Sequence, residues 1–273
     1  MFDSHCHLDA EEYDHDRPEV LARARAAGVR GIMVPGYSPE EWARLGPLCR
    51  ANADVVCAVG LHPLYLHALD EAGRRAALDA LAPTLCAAGA IAVGECGLDA
   101  PVARKLGPDL DVQSEVVDAH LELARARDLP VILHCVRAHG RMLEVLERHG
   151  PLPRGGVMHA YGGPVELIAR YQRLNLRFSF GGIVTHEGAK KPRAAALAIP
   201  PELLLVETDG PSQVPAGSQR PRSEPGDVPR ILHAIAALRG EPVREVAART
   251  HANTLALFGC DPAHFPSAAD LLA

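Results

Sequence analysis

Short apolar runs rich in β-branched residues alternate along the chain with longer runs in which alanine, leucine and arginine recur at helical spacing. The apolar runs predict strands over residues 1–5, 31–35, 55–61, 90–95, 130–134, 156–159, 176–180 and 203–207. The amphipathic runs predict helices over 17–27, 39–51, 74–88, 113–127, 140–148, 164–174, 191–198, 228–238 and 243–258. The strands read as nearly continuous apolar stretches, as they do when both faces of a sheet are covered. Their ends recur every 25 to 40 residues or so, which is the spacing of a strand–helix unit in a parallel sheet. Eight such units predict a (β/α)8 TIM barrel of class α/β, formed as a single domain over residues 1–273. The alternative, an open Rossmann-like sheet, calls for a G-x-G-x-x-G turn after the first strand, and none stands there. The Pro/Gly-rich stretch "GPSQVPAGSQRPRSEPGDVP" follows the eighth strand and reads as a long active-site loop that narrows the substrate mouth.

Composition narrows the class. The formal charge is −6 with His neutral, so the chain lacks the basic footprint of a nucleic-acid coat protein. Seven cysteines without a C-x-x-C pair fit reduced thiols in a cytoplasmic protein better than a secreted disulfide framework. No signal-peptide pattern and no membrane-spanning stretch is read, so no membrane partner is expected.

The chemistry collects at the strand ends. The first predicted strand leads into "HCH", the third into "GLHP" with His62, the fourth into "VGECGLD" with Glu95 and Asp99. The fifth leads into "VILHC" with His134, the sixth into "GVMHAYGG" with His159, and the eighth into "VETDGP" with Glu207 and Asp209. A barrel brings all these ends to one rim, where barrel active sites lie. Imidazole and carboxylate together suit Zn, Mn, Fe or Co, and Mg less well. The H-x-H pair, one bridging carboxylate, two more histidines and a final Asp suffice for two divalent metal ions. A carbamylated lysine bridge on the fourth strand is excluded, because no Lys precedes residue 105, and Glu95 takes that place. Strand alternation puts His5 and His7 on one face and turns Cys6, like Cys96 and Cys135, outward into the strand–helix layer, away from any metal.

"FDSHCHLD", "GLHP", "VGECGLD", "LPVILHC", "GVMHAYGG", "VETDGP" and "RSEP" occur in order and resemble the TatD family of metal-dependent hydrolases over nearly the whole chain. The resemblance implies a (β/α)8 barrel with a divalent-metal centre and phosphodiester hydrolysis, commonly a DNase of 3′–5′ exonuclease character. It implies His5, His7, Glu95, His134, His159 and Asp209 as metal ligands. It implies His62 as a phosphate or water contact near the metals, and Glu224 of "RSEP" as a structural or substrate-positioning carboxylate. The chain departs from the family at Val136–Arg137, where many relatives read His-x-Arg, at Tyr161–Gly162–Gly163, and at His120, where Gln is common. These departures bear on the substrate more than on the reaction class.

The mechanism expected is metal-assisted hydrolysis, with Glu95 and Asp209 as the catalytic carboxylates and Asp209 taking a proton from the attacking water. His62 and Arg137 are expected to hold the scissile group. Tyr161, with Tyr65 and Tyr37, lies in strand-end loops where a ring could stack on a base, the alternative being a packed rim position. Glu207 is expected to orient a ligand histidine, and Asp99 to stand behind the ligands in a structural role. The expected partner is DNA or another phosphodiester or ester. The same centre would serve a deacylase acting on an ester or amide such as a D-aminoacyl-tRNA. A non-enzymatic interaction protein with a decayed site is the third reading, and the complete set of ligand positions speaks against it.

Overall fold

The computed structural model describes residues 1–272. Eight parallel strands pair in chain order: β1 (Phe2–Asp3), β2 (Gly31–Val34), β3 (Val55–Val59), β4 (Ala92–Asp99), β5 (Val131–Val136), β6 (Gly156–Met158), β7 (Leu176–Phe180) and β8 (Leu204–Val206). The helices are α1 (Arg17–Ala26), α2 (Pro39–Ala51), α3 (Glu71–Ala88), α4 (Ala100–Leu106), α5 (Leu110–Arg127), α6 (His139–His149), α7 (Ile168–Arg173), α8 (Lys190–Ala198), α9 (Val228–Arg239) and α10 (Val243–Phe258). The architecture is the (β/α)8 barrel that the alternation predicts. Among the described residues no helix is long and apolar enough to cross a membrane.

Backbone hydrogen bonds bridge the seam between β8 and β1: Ser4 N–H to Val206 O at 3.0 Å and Asp209 N–H to His5 O at 2.8 Å. Asp3 reinforces the same seam. Its two carboxylate oxygens accept from the Thr208 N–H at 2.9 Å and the Thr208 hydroxyl at 2.5 Å. The residues just past the two strands are thereby fixed against each other, and both histidines of the H-x-H pair and Asp209 lie there.

Two apolar layers carry the barrel. Phe2, Met33, Ala58, Ala92, Ile132, Val157 and Leu205 form an inner cluster, joined by Leu257, Phe258 and Phe265 from the C-terminal segment. The outer faces of the strands pack against the helices in a larger cluster that contains Cys6 and Cys96, with Cys135 packed against it. Small thiols suit that layer. The inner layer sets the direction of the chemistry. His134 follows Ile132 by two residues, His159 follows Val157, and Glu207 follows Leu205, so strand periodicity aims each at the interior.

Three differences from the pattern bear on the site. Strand β1 ends at Asp3, because the chain leaves the ladder to close the seam, and His5 and His7 lie beyond it. Strand β4 runs on to Asp99, past Glu95. The pattern also misses α4, whose seven residues are too few to show a periodicity. Asp99 caps it by accepting from the Val102 N–H at 2.8 Å. Helix α5 is long and amphipathic. Asp109 caps it, and Val116, Val117, Leu121 and Ala124 bury one stripe. The loop after β8, expected to narrow the substrate mouth, does so only at its start. Only Pro211 and Ser212 of it reach the rim cavity, while Ser223 and Glu224 are buried, the latter in a two-pronged ion pair with Arg23 of α1 at 2.9 and 3.0 Å.

Candidate metal centre

Glu95 organises the site. The β4–β5 register slips between Val93 and Cys96, where three steps on β4 face two on β5, and Glu95 sits in this bulge. Its N–H donates to Gly36 O at 2.9 Å. The neighbouring backbone comes so close that a Cβ on Gly60 would lie 2.4 Å from the Gly94 Cα, which requires glycine there.

The fully buried carboxylate meets five imidazoles, divided between its two oxygens. Oε2 lies 3.1 Å from His5 Nε2 and 3.4 Å from His7 Nε2. Oε1 lies 2.8 Å from His159 Nε2, 3.0 Å from His134 Nδ1 and 3.1 Å from His62 Nε2. Asp209 completes the Oε2 side, its Oδ1 standing 3.7 Å from His5 Nε2 and 3.9 Å from His7 Nε2. Burial works to raise the Glu95 pKa. The surrounding imidazoles, His159 foremost, outweigh it and hold the carboxyl well below the usual range.

A hydrogen bond settles the proton on one of these rings. His62 Nδ1 accepts from the Leu64 N–H at 3.0 Å, so the neutral ring carries its proton on Nε2, facing Glu95 Oε1. Burial pushes this imidazole down to about 4, and the neutral form holds at physiological pH. His62 is therefore a donor toward the centre rather than a lone pair. His134 lies between two carboxylates, its Nε2 3.2 Å from Asp99 Oδ2 and its Nδ1 3.0 Å from Glu95 Oε1; burial works to lower its pKa, and the two carboxylates outweigh it and raise it.

The remaining contacts fit a cation. His5 Nε2 and His7 Nε2 stand 3.3 Å apart, and His134 Nδ1 and His159 Nε2 stand 3.1 Å apart. Glu95 Oε2 is buried without a hydrogen-bond donor. Nitrogen lone pairs and carboxylate oxygens aimed at one another in a buried space are the donor set of a divalent ion of the Zn, Mn, Fe or Co type. Three groups of side chains offer atoms close enough for an ion: His5 with His159 and Asp209, His5 with His7 and Glu95, and His62 with Glu95 and His134. Among the described residues no cysteine belongs to such a group.

Further side chains stand behind these. Glu207 Oε1 accepts from the Ala160 N–H at 2.7 Å and lies 3.6 Å from His159 Nδ1, and Glu207 Oε2 accepts from the Ser179 hydroxyl. Asp209 adopts a left-handed backbone, φ 51°, and its Oδ2 accepts from Gln213 Nε2 at 2.7 Å. Above the cluster opens a cavity of about 480 Å³, lined by His7, Asp9, Tyr37, Glu41, His62, Leu64, Asp209 and Ser212 among others. Among the described residues neither Lys nor Arg lines it.

Two expected substrate contacts fall outside this cavity. Tyr161 is 1% exposed, donates its hydroxyl to Pro164 O at 2.7 Å, and packs edge-on against Phe178. The left-handed turn at Ala160, directly after His159, carries it into the strand–helix layer, so stacking on a base is corrected to core packing. Arg137 is exposed, adopts a left-handed backbone, φ 53°, and does not line the cavity it was expected to serve. Tyr37 lines the cavity and stacks on His62 with ring centroids 4.7 Å apart; Tyr65 packs edge-on against Tyr37. Glu224 lies among Arg23, Arg220 and Arg222, clear of the cavity. Sequence reasoning missed Asp3, Gln213 and Asp9. The last is 3% exposed, lines the cavity, and keeps Oδ2 without a partner. Asp9 alone left a signal, two residues beyond the H-x-H pair.

Comparison with known proteins agrees with this geometry. Residues 2–259 match the family described as TatD related DNase. The chain is 35% identical to the metal-dependent hydrolase YjjV of Escherichia coli K12, over 94% of this chain and 97% of that one. It is also 35% identical to the 3′–5′ ssDNA/RNA exonuclease TatD of Cronobacter sakazakii, over 94% and 97% respectively. The crystal structure of YjjV superposes with a TM-score of 0.85 over 95% of this chain and 98% of that one, at 34% identity. A TatD family hydrolase from Entamoeba histolytica shares the fold at 18% identity, with a TM-score of 0.82. The carboxylate-centred cluster, the barrel that carries it and these matches together establish that the chain belongs to the TatD family of metal-dependent hydrolases.

Proposed function

We propose that the protein is a phosphodiesterase that trims single-stranded nucleic acid from its 3′ end, using two divalent ions that share Glu95. The observation that carries the reading is the division of one buried carboxylate between two sets of nitrogen donors. His5, His7 and Asp209 would hold one ion with Oε2, and His134 and His159 the other with Oε1. Ions held there supply Lewis-acid polarisation of the scissile group and a lowered pKa for water at the site. Asp209, whose Oδ2 accepts from Gln213, would receive the proton of the attacking water. His62 presents its Nε2–H to a phosphoryl oxygen. Asp99 keeps the His134 Nδ1 lone pair turned inward, and Glu207 stands behind His159. The nuclease names of the TatD relatives support the substrate class. Seven free thiols support a cytoplasmic setting.

One observation favours hydrolysis of an aminoacyl ester as a second reading. Asp9 and Glu41 line the cavity, where an ammonium beside the scissile bond would be better placed than a run of phosphates. Metal-reconstituted protein incubated with end-labelled single- and double-stranded DNA, RNA and an aminoacyl ester separates the readings, with His134→Ala as control. Stepwise loss of 3′ nucleotides is expected. Ester cleavage without nucleic-acid cleavage would overturn the first reading.

A further inference from the structure

Helix α5 carries two fully buried polar side chains, Gln113 and His120, on its barrel-facing stripe. They are seven residues apart, which is two turns and about 10 Å along the axis. Neither touches the metal cluster, and neither bonds to another side chain. Both spend their hydrogen bonds on backbone.

His120 Nδ1 meets Val116 O at 2.7 Å, and the Leu61 N–H meets His120 Nε2 at 3.0 Å. A carbonyl can only accept and an amide N–H can only donate, so these partners allow one neutral tautomer, with the proton on Nδ1. Leu61 precedes His62, whose own N–H donates to Tyr37 O at 2.9 Å. The backbone entering His62 is therefore held on one side by α5 and on the other by the segment after β2. Gln113 treats the next strand end in the same way. Its Oε1 accepts from the Asp99 N–H at 2.7 Å, and its Nε2 donates to Pro108 O at 3.2 Å. Asp99 in turn faces His134 Nε2 at 3.2 Å.

We propose that Gln113 and His120 are positioning residues: α5 acts as a strut that sets the aim of His62 through Leu61 and of His134 through Asp99. The proposal rests on the reading of His62 and His134 as site residues. It gives His120, which stands where relatives commonly carry Gln, a defined task. A single acceptor at the right height is what the position requires, and an amide oxygen supplies it as well as an imidazole nitrogen. An apolar residue at either position would leave a buried N–H without an acceptor and release the strand end. A release of 1 Å in a reacting group costs up to about a hundredfold in rate.

The test compares His120→Gln, His120→Leu and Gln113→Leu by imidazole nitrogen NMR in the metal-free protein and by steady-state kinetics on the cleaved substrate. His120→Leu should mix the His62 tautomers and speed exchange of the Leu61 amide, leaving His134 as in the parent, while kcat falls about tenfold at constant KM. Gln113→Leu should disturb His134 and spare His62. His120→Gln should keep the parent signals of His62 and His134 and the parent rate. The spectra need no activity, so failure of the nuclease reading would leave this test standing. If the leucine variants do not fold, His120→Gln decides alone, and loss of the single His62 tautomer in it overturns the proposal. So does an unchanged His62 signal in a folded His120→Leu.

Discussion

The two oxygens of Glu95 face differently built surroundings. On the Oε1 side two histidines have a hydrogen-bonded second partner: His134 faces Asp99 and His62 accepts from the Leu64 amide, while His159 Nδ1 stands 3.6 Å from Glu207 without a hydrogen bond. These partners come from β4 and from the loop after β3. On the Oε2 side His5 Nδ1 is buried without a partner, and Asp209 leans on Gln213, four residues on in its own loop. Fixed second partners raise ligand basicity and hold ring orientation. On the proposed reading the difference is a division of labour: the Oε1 side would hold its ion, and the Oε2 side, whose His7 and Asp209 are the more exposed, would react and exchange.

The largest effect should come from Asp209→Asn. Hydrolysis should fall by about 10² to 10⁴-fold, the range of a lost general base, while metal content is partly kept. Near-parental turnover would remove Asp209 from that role. Next is the acid sensitivity of the strut behind the Oε1 side. Burial depresses His120 from 6.5 to about 4 in the folded chain. The unfolded chain therefore binds a proton first as pH drops, so this stabilisation is fully present above 6.5 and is lost as pH falls toward 4. It amounts to about 3 kcal/mol. His120→Gln lacks the term, so the parent should lose about that much stability relative to the variant as pH falls over the interval. Parallel curves from denaturant titrations at each pH would contradict it.

Asp99→Asn should weaken the tighter ion by about 10- to 100-fold and leave the weaker one unchanged. Equal weakening of both would erase the distinction between the sides. The smallest effect is expected from Gln213→Ala: about tenfold in kcat, the low end for a hydrogen bond to a charged group, with the tighter ion untouched.

Much of this was legible in the sequence, for a physical reason. Strands covered on both faces must be apolar nearly throughout, so β7 was read to the residue, and the polar residues that break such runs at the rim announced themselves. What escaped depended on closure. Asp3 matters because β8 returns beside β1, and Gln213 because Asp209 turns left-handed; neither event has a local signature. Tyr161 failed as a rim residue because one positive-φ alanine reverses where the next side chain points. The bulge at Glu95 is a register effect between two strands and is invisible in either alone.

The central claim is that one carboxylate is shared by two ions, and Mn2+ titration followed by electron paramagnetic resonance tests it most directly. The parent chain should bind two equivalents with unequal affinity and give the spectrum of a spin-coupled pair. Glu95→Ala should abolish the coupling and lose at least one equivalent. Two uncoupled ions in the parent, or a coupled pair that survives in Glu95→Ala, would contradict the account.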